Sequence, residues 1–113
     1  LLGRMGNKKA IRAAADYLRG MGASGLGVEA AARTAAVLST GAEGAIPLKE
    51  GYAAAMAAQN TSYACVEKNI RSMVGKLQAG ACGEYQALMG GLPAERPSNE
   101  LFLRRLARRI LEW

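Results

Sequence analysis

Residues 60–78 read NTSYACVEKNIRSMVGKLQ. Asn60, Thr61 and Ser62 are all of the type that begins a helix by offering a side-chain oxygen to unpaired backbone N–H groups. Behind them Val66, Ile70, Met73, Val74 and Leu77 recur at i, i+4, i+7, i+8 and i+11, one face of a helix. The remaining positions are small, polar or charged. The stretch therefore specifies a helix with a buried stripe and a second face, made of Ser62, Cys65, Lys68, Asn69 and Ser72 with Glu67 and Arg71 on its flanks. That second face meets either solvent or a partner.

Upstream lies PLKEGYAAAMAAQ, residues 47–59. Pro47 suits the first turn of a helix, because its missing N–H would have no partner there. This helix stops at Asn60, so two or three residues turn the corner into the next one. Two short helices joined so tightly are the pattern of a helix-turn-helix, here over about residues 47–78. Ala54, Ala55, Ala57 and Ala58 are small enough to let the two approach closely.

Glycines punctuate the rest. Leu1–Gly6 is a short lead-in, and Asn7 can cap a helix to about Met21 whose apolar side is Ile11, Ala14, Ala15 and Leu18. An Ala-rich helix follows from about Val28 to Leu38, a short one covers Glu84–Met89, and Ser98 and Asn99 cap a last helix to Trp113 carrying Phe102, Leu106 and Ile110. Met5, Met21, Met56, Met73 and Met89 suit gap-filling in a core, and Cys82 suits a small buried apolar position. No segment alternates as a strand does. The expected class is all-α, a compact six-helix domain.

At 113 residues the chain is the size of one domain, 1–113. Half its residues are apolar but only 5% are aromatic, and a core of small side chains favours closely packed helices. No run approaches the roughly 18 apolar residues of a membrane span, and nothing at the start resembles a signal peptide. The chain opens Leu-Leu-Gly without Met, as expected of a fragment of a longer protein or of a processed product. With no histidine, and with Cys65 and Cys82 outside any metal-binding spacing, neither a metal nor a cofactor is expected. Carboxylates are few and scattered, and no catalytic motif is present, so the chain reads as no enzyme. Two isolated thiols suit a reducing cytoplasm.

The net charge of +6 points toward an anionic partner. On the outer face of helix 60–78, Lys68 and Arg71 can donate to guanine edges or to phosphates, and Glu67 can accept from a cytosine amino group. Thr61 and Ser62, with the free N–H groups of the helix start, can bind phosphate. A capped amphipathic helix of mixed charge is also an ordinary surface helix.

NTSYACVEKNIRSMV further resembles the recognition-helix region of the C-terminal effector domain of the stage-zero sporulation response regulator A family, where a pattern close to NTTxSRVERAIRHAI is typical. Asn60, Thr61, Val66, Glu67, Ile70 and Arg71 are identical, and Ser62 and Lys68 are conservative replacements. Tyr52 stands where the family has a tyrosine. GNKKAIRAAADYLRGM is similar to the family's first helix through Gly6, Ile11, Leu18 and Arg19. RPSNELFLRRLARRI is similar to KPTNSEFIAMVADKL through Pro97, Asn99, Phe102 and Ala107. The resemblance spans nearly the whole chain. It implies a six-helix domain of a bacterial response-regulator transcription factor that binds double-stranded DNA as a homodimer on tandem boxes, downstream of a phosphorylated receiver domain. It also implies base reading by Glu67, Lys68, Arg71 and the position of Cys65. The chain departs from the pattern where Cys65 replaces a base-contacting arginine and Lys68 replaces another.

Further basic groups are Lys8, Lys9 and Arg12 near the start and Arg104, Arg105, Arg108 and Arg109 near the end. Lys8, Lys9, Arg104 and Arg108 are candidate phosphate contacts. The arginine helix can equally be a solvated face over a core stripe, or a membrane-surface helix. Trp113 and Leu111 can mark a subunit contact. Tyr63 can pack on the helix turn or flank a phosphate. The competing function is a helical adaptor or dimerisation module whose basic faces meet an acidic protein.

Overall fold

The computed structural model describes residues 7–113, which form six α-helices and, among the described residues, no strand. They are α1 (Asn7–Gly20), α2 (Leu26–Leu38), α3 (Leu48–Gln59), α4 (Tyr63–Gly80), α5 (Gly83–Met89) and α6 (Asn99–Glu112). The expected lead-in, with Gly6 and the expected core role of Met5, lies outside the described residues. The Cα radius of gyration is 12.6 Å, close to the value of about 13 Å for a compact chain of this length.

Helix α2 is the hub, packing against α1, α3, α4 and α6. Its composition explains the position: Ala30, Ala31, Ala32, Ala35 and Ala36 are buried all round it, and methyl-sized side chains let four neighbours come near. Two glycines bring helices closer still. A Cβ at Gly51 of α3 would lie 2.7 Å from Thr34 Cγ2 of α2, and one at Gly27 of α2 would lie 2.5 Å from the Asn69 carbonyl oxygen of α4. The alanines expected to make the α3–α4 approach divide differently: Ala55 is buried and Ala54 half-buried, while Ala57 and Ala58 are exposed.

Most of the larger core side chains come from α3 to α6, joined by Leu18 of α1 and Val28 of α2. Tyr52, Ile70, Tyr85, Phe102, Leu103, Leu106 and Ile110 are fully buried, with the Tyr85 and Phe102 rings stacked 6.4 Å apart. Met21, Met73 and Met89 are buried, and Met56 and Cys82 are half-buried against the core. Trp113 closes the far end, its ring meeting Tyr17 edge-on at 5.3 Å.

The corner between α3 and α4 is made of Asn60, Thr61 and Ser62, and the three residues do different jobs. Asn60 is left-handed (φ 51°, ψ 55°) and ends α3, with its own N–H and that of Thr61 both donating to the Met56 carbonyl. Asparagine tolerates this conformation better than most side chains. Ser62 alone caps α4, its Oγ accepting from the Cys65 N–H at 3.2 Å. The same device starts α6, where Ser98 Oγ accepts from the Leu101 N–H at 3.1 Å.

Candidate nucleic-acid interface

Along α4 the expected stripe is buried: Val66, Ile70 and Val74 fully, Met73 and Leu77 nearly so. Cys65, Lys68, Arg71 and Ser72 are exposed, and Glu67 and Asn69 half-buried, as a helix with that stripe requires. Lys76, which the sequence reading passes over, is exposed too and extends the row Lys68, Ser72, Lys76 at four-residue steps. That spacing is its signal.

Helical geometry splits this outer face into two edges on either side of Lys68. Tyr63, Glu67 and Arg71 run down the edge toward the start of α6. There Glu67 and Arg71 border a cleft of about 290 Å³ that also takes in Tyr52, Arg96 and Asn99. Arg71 Nη2 donates to Glu67 Oε1 at 3.0 Å, with both side chains roughly half-exposed. An exposed i,i+4 pair of this kind is worth only about 0.3–0.5 kcal/mol, so a better acceptor can draw Arg71 away. Asn99 holds the helix from behind, its Nδ2 donating to the Glu67 carbonyl at 3.0 Å and to the Tyr52 hydroxyl at 3.1 Å. Burial raises the Tyr52 pKa above its usual value of 10.0, so the hydroxyl stays protonated and can accept from Asn99.

The opposite edge, with Asn69, Ser72 and Lys76, borders a second cleft of about 220 Å³ against the start of α2. Gln59 Nε2 donates to the Leu26 carbonyl at 3.0 Å and ties the end of α3 to this corner. Cys65 stands at the top of the face, in the first turn of α4. Hydrogen bonding from Ser62, then from Thr61, lowers its thiol pKa below the usual 9.0.

The remaining basic candidates are not gathered on this face. Lys8, Lys9 and Arg12 line a separate hollow at the start of α1. The other end of that helix, about 20 Å away at 1.5 Å per residue, leads into the loop that meets α4. Arg104 is engaged: two of its N–H groups lie 3.1–3.2 Å from Glu100 Oε2. Arg108 is freer, 63% exposed and 4.0 Å from Glu43 across the α2–α3 loop. With Arg105 and Arg109 it borders α5 rather than α4. Arg96, ordinary surface charge by its sequence context, is exposed beside Arg71, with its Cδ close over Gly75. Nothing in the linear spacing of residues 71 and 96 signals that neighbourhood.

No described helix is long and apolar enough to cross a membrane. Compared with protein-family models, with curated proteins and with solved structures, the chain matches none.

Proposed function

We propose that this chain binds double-stranded DNA sequence-specifically, as the effector domain of a bacterial response-regulator transcription factor of the sporulation type. One observation carries this reading. The outward face of α4, joined to α3 by three residues, presents Lys68, Arg71, Ser72 and Lys76 on a helix whose other side is locked into the core. Helix α4 would enter the major groove by its N-terminal half as the second helix of a helix-turn-helix, with α3 crossing the strand backbone. Lys68 and Arg71 then donate to base edges or phosphates, Glu67 accepts from a cytosine amino group, and Thr61 and Ser62 meet phosphate. Ser62 Oγ uses a lone pair on the Cys65 N–H, so while the Cys65 thiol is neutral its own O–H is available to donate. Arg96 and Lys76 extend the cationic border on the two edges, and Arg108 is better exposed for a phosphate than Arg104.

The family resemblance adds a homodimer on tandem sites and a receiver domain upstream, and to these the proposal joins the cytoplasmic setting expected from the isolated thiols and the lack of catalysis expected from the missing catalytic motifs. Cys65 cannot supply the bidentate guanine contact of an arginine, so either the preferred site differs from the family box or the specificity for it is weaker. Repeated selection of bound duplexes from a random pool tests this directly. A common motif should emerge, and binding to it should weaken steeply as salt rises while staying tighter than binding to scrambled DNA. A pool that stays random, with salt-sensitive binding to an acidic protein surface instead, would favour the adaptor reading.

A further inference from the structure

Tyr63 is one of the few large apolar side chains left exposed, at 44%, and it occupies the first position of α4. It is not loose. Its ring meets the fully buried Tyr52 ring edge-on, with centroids 5.0 Å apart and planes at 71°. Tyr52 is itself held by Asn99, which also grips the backbone of α4 at Glu67. One series of contacts, Glu67 to Asn99 to Tyr52 to Tyr63, therefore positions an aromatic ring that carries a polar tip at the seam between α3 and α4.

The role of Tyr63 rests on the DNA-binding reading, in which that seam is where the strand backbone passes. The first helix of such a unit crosses the backbone while the second enters the groove. Tyrosine hydroxyls are among the groups that fix a protein's register by donating to phosphate oxygens. A ring already held in place loses little freedom when it does so. We infer that Tyr63 is a further DNA contact, its hydroxyl donating to a backbone phosphate beside Ser62.

A neutral donor leaves a distinctive mark. It strengthens binding without displacing counterions, whereas each lysine or arginine on a phosphate adds close to one unit to the salt slope. Tyr63→Phe keeps the ring and its packing on Tyr52, so its thermal unfolding should match the parent's. Its affinity should fall about tenfold on both the selected and the scrambled duplex, with the slope of log affinity against log salt unchanged. A Tyr63→Phe variant that binds both duplexes as tightly as the parent would overturn the hydroxyl contact. A loss confined to the selected duplex would also overturn it, since that would place Tyr63 at a base. If the parent itself enriches no sequence and binds no duplex, the DNA reading fails first and this contact with it. A parent that binds, with the variant unaffected, removes this contact alone.

Discussion

The two edges of α4 are held in place by different physics. On the Tyr63 side the restraints are mainly polar, the Asn99 hydrogen bonds to α3 and α4, joined by the edge-on Tyr52–Tyr63 contact, while the Glu67–Arg71 ion pair lies within α4. On the Asn69 side the restraint is contact, since Gly27 lets the backbone of α2 come against the backbone of α4 with no room for a methyl group. Hydrogen bonds and exposed ion pairs can be exchanged for bonds to a ligand at small net cost. A close-packed backbone contact has no such alternative. On the first edge the exposed Arg71 is thus free to re-pair on a partner, while the second edge keeps the helix still.

The contact edge should break hardest. Gly27→Ala forces a Cβ against the Asn69 carbonyl and should cost about 3 kcal/mol, seen as a fall of roughly 10 °C or more in thermal unfolding. An unchanged transition would mean that α2 and α4 slide apart freely and that the edges do not differ. Next in size is a change on the outward face of α4, proposed to read bases. Cys65→Arg should raise the ratio of affinities for a sporulation-family box over scrambled DNA by about 1–3 kcal/mol, measured at one fixed salt. If both affinities rise together, position 65 does not reach the bases.

The polar edge should yield more gently. Asn99→Ala leaves the Glu67 carbonyl without its side-chain donor and should cost about 1–2 kcal/mol in denaturant unfolding. A loss equal to that of Gly27→Ala would erase the contrast. Smallest is an effect of pH at Cys65. The thiol is neutral at low pH and gains a negative charge as pH rises through a value held below 9.0 by Ser62 and Thr61, with Lys68 also favouring the thiolate. DNA affinity should therefore decline as pH climbs toward 9, and Cys65→Ser should remove that part of the decline.

Much of this is legible along the chain because it depends on near neighbours. The stripe from Val66 to Leu77 is a matter of helical period, and Ser62 and Ser98 cap because a hydroxyl lies within reach of an N–H three residues on. Other features depend on residues far apart, and no local rule reaches them. That α3 stops at Asn60 is read directly, but Asn60 and Thr61 also read as caps of α4, where Ser62 alone serves. Gly27 looks like part of a break yet lies inside α2, and neither it nor Gly51, read inside its helix, signals along the chain that a neighbouring helix leaves no room for a methyl group there. Ala57 and Ala58 look like contact residues and face solvent. Within the site, the outward order of Cys65, Lys68 and Arg71 can be read directly. The help of Asn99, 32 residues beyond Glu67, cannot.

If the chain reads DNA as proposed, the Glu67–Arg71 pair has a consequence for how neighbouring base preferences combine. The pair is weak, so random DNA can draw either side chain away at a cost of only about 0.3–0.5 kcal/mol. A site that offers an amino group to Glu67 and an acceptor to Arg71 releases both at once, whereas a site that offers only one strands the other charge in the groove. Preferences at the two base positions should then be non-additive: changing both together should cost less than the sum of the separate changes. Affinities for the four duplexes of such a double cycle would show it, and Arg71→Ala should make the same two positions independent.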